Sequence, residues 1–163
     1  MTNEYLKIAN ILYVEDDDDL REETYILFSH LFDLTDTAEN GKIALEKVCA
    51  KEYDLIVTDI NMPEMDGVTL SQEIRKINPK QTIIVTSAHD ESHYLLELID
   101  VGVDKFISKP LDMHKFLYAL SVVCSNIRNE KLVKKYKEEL EQSNIRLSQS
   151  NKELEVLVKI LDS

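Results

Sequence analysis

The stretch LIVTDINMPEMDG, residues 55–67, decides the fold of this chain. It begins with a short apolar run at residues 55–58, which leads directly into the carboxylate of Asp59 and then into a loop. Continuous apolar runs of this length are typical of strands that are buried on both faces of a parallel sheet. Because open α/β sheets bind ligands at the carboxyl ends of such strands, Asp59 is the first candidate functional residue.

Similar apolar runs recur along the chain. They lie at residues 11–14, 82–86 and 105–107, with a weaker one near residues 32–35. Helix-like segments separate the runs, and one of them places Leu20, Thr24, Leu27 and Leu31 in a single stripe at helical spacing. The alternation predicts an α/β fold with a doubly wound, five-stranded parallel sheet. The commonest such arrangement is the flavodoxin-like strand order 2-1-3-4-5, in which the first and third strands are neighbours.

Acidic residues follow the first and third predicted strands. Glu15 and Asp16 come directly after residues 11–14, so their carboxylates should converge with that of Asp59 at one edge of the sheet. Two carboxylates about 4 Å apart repel each other by about 4 kcal/mol at an effective dielectric constant of about 20. A divalent cation that prefers oxygen ligands, such as Mg²⁺ or Mn²⁺, offsets this repulsion. The spacing therefore predicts a metal site.

A hydroxyl and an ammonium group complete the predicted site. Thr86 ends the fourth predicted strand and Lys109 follows the fifth, so both side chains should face the same edge as Asp59. The hydroxyl donates hydrogen bonds to phosphoryl oxygens, and the lysine adds a fixed positive charge. Each residue alone would be an ordinary surface or strand-end residue. Together with the acids, they predict that Asp59 acts as a nucleophile toward phosphorus.

The net charge of −12 is unevenly distributed. Residues 123–163 carry eight basic and seven acidic side chains, so the remainder of the chain carries a net charge of −13. A surface this acidic repels the phosphates of DNA, and we expect no direct DNA binding. No apolar stretch approaches the roughly 20 residues that span a bilayer, and the first residues do not form a signal peptide. We therefore expect a cytoplasmic protein without a membrane span.

The chain changes character after Pro110, beyond which it contains neither glycine nor proline. An apolar residue recurs at every seventh position and defines a heptad stripe of Val133, Leu140, Leu147, Leu154 and Leu161. The pattern predicts a coiled-coil extension at residues 123–163 after a domain at residues 1–122. The expected cover for the stripe is a second copy of the chain, in a homodimer. Ser143 and Ser150 at the other seam position leave a solvated single helix as the alternative.

The motifs at the predicted strand ends resemble those of the receiver domain of response regulators in bacterial two-component systems. They read ILYVEDD at residues 11–17, AENGKIA at 38–44, DLIVTDINMP at 54–63, MDG at 65–67, IIVTSA at 83–88 and DKFISKP at 104–110. The resemblance covers about residues 8–122. It implies that Asp59 accepts a phosphoryl group from the phosphohistidine of a sensor histidine kinase, so that the chain is a phosphoacceptor and not an enzyme.

The resemblance also implies a set of metal ligands. Asp16 and Asp59 are implied to bind Mg²⁺ directly, while Glu15 acts mainly through water. The backbone carbonyl of Asn61 is implied to complete the metal shell. In this chain Glu15 stands where the family more commonly has aspartate.

Three further residues have implied roles in binding phosphate and transmitting the signal. Thr86 and Lys109 are implied to bind the phosphoryl group, and Phe106 to turn inward as an aromatic switch when Thr86 moves. The Lys109–Pro110 peptide is implied to be cis. The signal would leave through the fourth helix, the fifth strand and the fifth helix, then through the coiled coil to a downstream effector domain.

Two other functions stay open at this point. An aspartate-nucleophile phosphatase also uses aspartate and Mg²⁺, but it normally carries a second aspartate two residues beyond the nucleophile as general acid. This chain has Asn61 at that position. A dimerising scaffold with a vestigial pocket is the other alternative, and the intact set of predicted site residues argues against it.

Overall fold

The computed structural model describes residues 9–163, apart from the side chains of His89, Asp90 and Ser92. The predicted domain of residues 1–122 thus begins with eight residues that lie outside the described part. The described strands are β1 (Asn10–Val14), β2 (Leu34–Ala38), β3 (Leu55–Asp59), β4 (Thr82–Ser87) and β5 (Lys105–Ser108). The described helices are α1 (Asp18–Leu31), α2 (Gly41–Ala50), α3 (Gly67–Ile77), α4 (Leu95–Val101) and α5 (Met113–Leu161), with a short 3-10 helix at His89–Tyr94 before α4.

The five strands are parallel and lie in the order β2-β1-β3-β4-β5, which confirms the predicted doubly wound sheet. Every residue of β3 is buried, as its continuous apolar run indicated. The register aligns Val14 with Thr58 and Asp59 with Thr86. The carboxyl ends of β1, β3 and β4 therefore lie side by side at one edge of the sheet.

The second strand begins later than the sequence predicted. We expected it near residues 32–35, whereas β2 begins at Leu34. Phe32 instead ends α1: its N–H donates to the Phe28 carbonyl oxygen at 2.8 Å, and the two rings pack edge-on with centroids 5.3 Å apart. Phe32 is therefore apolar because it packs on α1 and not because it lies in a strand. The more polar β2 is defined by its pairing with β1.

Side-chain caps fix where three of the helices begin. Asp17, Asn40 and Asp66 each accept a hydrogen bond from the backbone N–H three residues later, at the start of α1, α2 and α3 respectively. Such caps satisfy N–H groups that have no partner within the helix, and each typically stabilises a protein by about 1 kcal/mol. Asp17 is therefore engaged at the start of α1, although it adjoins Asp16 in the sequence.

Helices cover both faces of the sheet. On one face, Leu70 and Ile74 of α3 pack into a core with apolar residues of the strands. On the other face, the Tyr13 ring of β1 packs against Phe28 of α1, and Phe28 packs in turn against Phe116 of α5. This burial on both sides explains why the central strands carry apolar residues without alternation.

The described chain divides into two compact units, with the division inside α5 between Ser125 and Asn126. The second unit, Asn126–Ser163, consists of the later part of α5 and the residues that end the chain. Every residue of the heptad stripe is exposed in the single chain. None of the described helices is both long and apolar enough to cross a lipid bilayer. The domain limit predicted at residue 122 stays a prediction.

Gly67 begins α3 in close contact with the end of β3. Its N–H donates to the Ile60 carbonyl oxygen at 2.7 Å, and a Cβ at this position would lie 2.1 Å from the backbone carbonyl oxygen of Asp59. Packed atoms do not approach this closely, so any side chain here must displace the end of β3. The fold therefore requires glycine where the loop returns to the strand.

We expect Gly67→Ala to lower the free energy of unfolding by about 2–3 kcal/mol, because the added methyl group meets rigid backbone. Gly102→Ala is the control, since nothing lies within 4 Å of its Cβ position and only its φ of 78° opposes the change. That strain costs about 1 kcal/mol. Urea unfolding followed by circular dichroism measures both variants. Equal losses in the two would contradict the prediction.

Candidate functional site

Three carboxylates converge at the carboxyl edge of the sheet and form the acidic cluster: Glu15, Asp16 and Asp59. Glu15 and Asp16 follow β1 and Asp59 ends β3, and one ligand oxygen from each lies within 4.8 Å of the others. Glu15 and Asp59 are buried, with 1% and 7% of their surfaces exposed, whereas Asp16 is open to solvent. Oxygen donors gathered this closely, with one of them at the surface, fit Mg²⁺, which prefers carboxylates and keeps several waters.

The ammonium group of Lys109 lies between the two buried acids. Its Nζ atom donates to Glu15 Oε2 and to Asp59 Oδ2, each at 2.9 Å. The backbone of Lys109 is fixed just beyond β5, because its N–H donates to the Ser87 carbonyl oxygen at 2.7 Å. The Lys109–Pro110 peptide is cis, as the resemblance implied.

Burial and the hydrogen bonds between charged groups shift the pKa values of Glu15 and Lys109 in opposite directions. Burial raises the pKa of Glu15 above its ordinary value, even though the hydrogen bond from Lys109 acts to lower it. Burial also acts to lower the pKa of Lys109, but its hydrogen bonds to Glu15 and Asp59 outweigh that effect and raise the pKa. Lys109 is therefore charged at neutral pH, and its charge offsets the repulsion between the neighbouring carboxylates.

The two carboxylate oxygens of Asp59 have different partners. Oδ1 accepts a hydrogen bond from the Ile60 N–H at 2.8 Å, while Oδ2 accepts from Lys109. The Thr58 hydroxyl donates to the backbone carbonyl oxygen of Asp59 at 2.9 Å. These contacts hold the side chain and the backbone of Asp59 at the end of β3.

Thr86 pairs with Asp59 across the β3–β4 ladder. Its buried hydroxyl donates to the Thr58 carbonyl oxygen at 3.4 Å, a long bond that a better acceptor would readily replace. Phe106 lies on β5, is half-buried, and packs against the core on the α3 side of the sheet. The structure thus brings Thr86 and Lys109 to the same edge as Asp59, with Phe106 on the next strand.

The sequence profile of the response regulator receiver domain matches residues 11–121 of this chain. The chain belongs to this family. The matched range contains the acidic cluster, Thr86, Phe106 and Lys109. Receiver domains bind Mg²⁺ at an acidic pocket, and the cluster found here is compatible with such a site. Response regulators work with sensor histidine kinases and often carry effector domains.

Two relatives show how far the likeness extends. Chemotaxis protein CheY of Bacillus subtilis is 38% identical over 96 residues, which are 59% of this chain and 80% of CheY. Response regulator ArlR of Staphylococcus epidermidis is 31% identical over 116 residues, which are 71% of this chain and 52% of ArlR. The match to this receiver therefore spans about half the length of ArlR.

A solved structure shares the receiver fold. Response regulator TrrA of Thermotoga maritima, solved in complex with Mg²⁺ and BeF, is 31% identical to this chain with a TM-score of 0.62. The comparison covers 71% of this chain and 99% of TrrA.

Sequence reasoning missed Glu91, which lies in the 3-10 helix of this receiver. Its Oε1 atom accepts a hydrogen bond from the side-chain amide of Asn61, the expected metal-shell residue, and its Oε2 atom accepts from the Ala88 N–H at 2.7 Å. Glu91 is 4% exposed, and a carboxylate this buried requires hydrogen-bond donors. No periodic pattern in the sequence marks this glutamate. It ties the loop after β3 to the segment after β4.

Sequence reasoning also missed Tyr13, which contacts the acidic cluster of the receiver from within β1. Its hydroxyl donates to Glu15 Oε2 at 3.3 Å. Burial, followed by the negative charge of Glu15, raises the pKa of Tyr13, so the hydroxyl keeps the proton that it donates. The available signal was the spacing, because residues two apart lie on the same face of a strand.

The raised pKa of Glu15 predicts how the stability of the metal-free receiver depends on pH. The folded state holds this proton to a higher pH than the unfolded chain does. The resulting stability is therefore fully present below the ordinary glutamate pKa and is lost as the pH rises through the raised value. Glu15→Gln does not ionise, so near neutral pH it should be more stable than the wild type by about 1 kcal/mol.

Urea unfolding in EDTA, from acidic to neutral pH, measures this difference. We expect the difference in free energy of unfolding between Glu15→Gln and the wild type to disappear as the pH falls. Glu46→Gln, which removes an exposed carboxylate on α2, should track the wild type throughout. A gap for Glu15→Gln that stayed constant with pH would contradict the prediction.

Proposed function

We propose that this chain is a response regulator receiver that takes a phosphoryl group onto Asp59 from a sensor histidine kinase, in a Mg²⁺- or Mn²⁺-dependent reaction in the cytoplasm. The observation that carries the proposal is the contact of Lys109 with both Glu15 and Asp59, within an acidic cluster whose ligand oxygens lie within 4.8 Å. A nucleophilic carboxylate, metal-binding acids and a fixed cation are the parts that phosphoryl transfer to aspartate requires.

In the proposed step, a carboxylate oxygen of Asp59 attacks the phosphorus of the kinase phosphohistidine. The O–P bond forms as the P–N bond breaks, and the imidazole nitrogen keeps the electron pair. Asp16, Asp59 and the backbone carbonyl of Asn61 would hold the divalent cation, with Glu15 acting through water. When bound, the cation supplies positive charge that offsets the charge on the phosphoryl oxygens.

Thr86 and Lys109 are the proposed phosphate-binding pair. Lys109 already donates to Asp59 Oδ2, so a phosphoryl group on Asp59 would place its oxygens within reach of the same ammonium group. The Thr86 hydroxyl would exchange its long bond to the Thr58 carbonyl oxygen for a charged phosphoryl oxygen, which is a stronger acceptor. We propose that Phe106 turns inward as Thr86 moves.

The proposed output surfaces are apolar. On α4, Leu98 is buried, whereas Leu96 and Ile99 are 77% and 60% exposed. The exposed heptad stripe is the second surface, and we propose that it pairs with a second copy of the chain. In this proposal residues 1–122 form the phosphoacceptor domain, and residues 123–163 carry the signal toward a downstream effector domain.

Treatment with acetyl phosphate and Mg²⁺ should add the mass of one phosphoryl group to the protein, as measured by intact-mass spectrometry. Asp59→Asn should abolish the adduct because it removes the nucleophilic carboxylate. Asp100→Asn, which removes an exposed carboxylate on α4, should retain it. EDTA should prevent the reaction in every variant.

Two results would contradict the proposal and favour the alternatives. Continuous hydrolysis of acetyl phosphate without a stable adduct would favour an aspartate-nucleophile phosphatase. Neither an adduct nor hydrolysis would favour a dimerising scaffold with a vestigial pocket.

Leu147→Glu should weaken self-association by about tenfold or more, because it places a charge in the seam opposite its own copy. Ile145→Glu is a matched control outside the heptad stripe. Both residues are largely exposed in the single chain, at 60% and 52%, so neither change should unfold it. Sedimentation equilibrium measures the dimer affinity.

The same measurement with Mg²⁺ and beryllofluoride tests transmission from the site to the helix. We expect the phosphoryl analogue to change the dimer affinity of the wild type but not that of Asp59→Asn. An unchanged affinity in the wild type would exclude signalling through dimerisation. Equal self-association of the Leu147→Glu and Ile145→Glu variants would exclude the heptad stripe as the interface.

A further inference from the structure

We propose that Tyr13 is a positioning residue of the acidic cluster: its buried hydroxyl holds the Glu15 carboxylate beside Asp59 and strengthens binding of the divalent cation. This inference rests on the proposed function, because it concerns the same site. It goes beyond that function because it assigns a role to a residue that provides no ligand to the cation or to the phosphoryl group.

The Tyr13 ring is held so that its hydroxyl has a fixed direction. The side chain is fully buried in β1. Its ring meets that of Phe28 edge-on, with centroids 5.6 Å apart and an angle of 75° between the planes. Phe28 is fixed in turn by Phe32 and Phe116, at centroid distances of 5.3 Å and 5.8 Å. Reorienting the phenol would therefore require repacking of α1 and α5.

Glu15 needs such a restraint more than an aspartate would. A glutamate side chain has one more rotatable bond, and ordering it costs conformational entropy. The contact to its Oε1 atom is weak, since the Asp17 N–H lies 3.4 Å away. The short contact to the carboxylate is that of Lys109 with Oε2 at 2.9 Å, and Tyr13 is the second donor to the same oxygen at 3.3 Å.

The two donors to Oε2 differ in what happens to them when Asp59 is phosphorylated. Lys109 also contacts Asp59, and in the proposed reaction its ammonium group turns toward a phosphoryl oxygen. Tyr13 cannot turn toward the phosphoryl group, because its ring is enclosed in the core, where its hydroxyl also contacts Thr24. Its 3.3 Å bond is longer than an ordinary hydroxyl–carboxylate bond. With Lys109 withdrawn, Oε2 is free to accept a closer contact from Tyr13, which then keeps Glu15 in place.

The test compares Tyr13→Phe with Tyr53→Phe. Tyr53 is a matched control, since it is also buried and donates to a carboxylate, Asp36 Oδ2, at 2.6 Å on the β2 side of the sheet. Each substitution removes one hydroxyl that donates to a carboxylate and leaves the ring packing intact. Urea unfolding in EDTA verifies that both variants fold.

Isothermal titration calorimetry with Mg²⁺ is the main measurement. We expect Tyr13→Phe to weaken Mg²⁺ binding by about tenfold, the low end of the effects of losing an outer-shell partner of a metal site. Tyr53→Phe should bind Mg²⁺ as the wild type does. The affinity for beryllofluoride at saturating Mg²⁺ should also be lower in Tyr13→Phe. When the phosphoryl analogue draws Lys109 away from Glu15, this variant has no hydroxyl at residue 13 to hold the carboxylate.

A spectroscopic readout separates positioning from general destabilisation. The chain has seven tyrosines and no tryptophan, so its near-ultraviolet absorption comes largely from tyrosine. Mg²⁺ binding should perturb this absorption in the wild type and in Tyr53→Phe. The perturbation should be largely lost in Tyr13→Phe at saturating Mg²⁺.

Each contrary result has a distinct meaning. Equal Mg²⁺ affinity in Tyr13→Phe and the wild type would overturn the role of Tyr13 while leaving the proposed function intact. Equal weakening in both tyrosine variants would overturn it as well, because the effect would then be one of stability. A wild-type protein that binds neither Mg²⁺ nor beryllofluoride would overturn the proposed function together with this inference.

Discussion

One ammonium group lies between two buried carboxylates at the carboxyl edge of the sheet. Lys109 Nζ lies 2.9 Å from an oxygen of Glu15 and 2.9 Å from an oxygen of Asp59. Removing like charges from water is unfavourable unless an opposite charge and hydrogen bonds compensate. The sheet edge supplies that compensation by joining the end of β1, the end of β3 and the residue that follows β5. Folding thus places the Lys109 ammonium group where it offsets the charges of Glu15 and Asp59.

The charge balance is incomplete, and this suits the site for binding a cation. Burial raises the pKa of Glu15 despite its contact with Lys109, so ionising Glu15 costs more free energy in the metal-free folded protein than in the unfolded chain. Sites that trade stability for function commonly carry such an uncompensated cost. A divalent cation relieves it, so folding and metal binding should stabilise each other through the same oxygens.

Side chains that are not ligands link the acidic cluster to the surrounding elements. Tyr13 connects Glu15 to the rings of Phe28 and Phe116, which belong to α1 and α5. Glu91 connects Asn61 to the segment that follows β4. A displacement at the acidic cluster would therefore meet packed neighbours. Rigid, close-packed contacts of this kind transmit small displacements instead of absorbing them.

The sequence by itself determined the fold class and the candidate acids, because each depends on local patterns, and the strand order followed from the commonest arrangement of such sheets. An apolar run followed by a carboxylate marks the end of a buried strand wherever the chain later goes, and the motifs around Asp59 identified the receiver family. The heptad stripe was also visible in the sequence, since its seven-residue repeat lies within one helix. The predicted start of β2 was wrong because the apolar residue Phe32 ends α1 and packs on Phe28.

Only the tertiary structure decided which atoms meet. Lys109 is 94 residues from Glu15 and 50 from Asp59, and their shared contact depends on the register of strands that are not adjacent in sequence. The Tyr13 hydroxyl and the Glu91 carboxylate find their partners for the same reason. The apolar pattern that predicts a buried strand lies in its own residues, whereas a distance between side chains depends on the packing of every element between them.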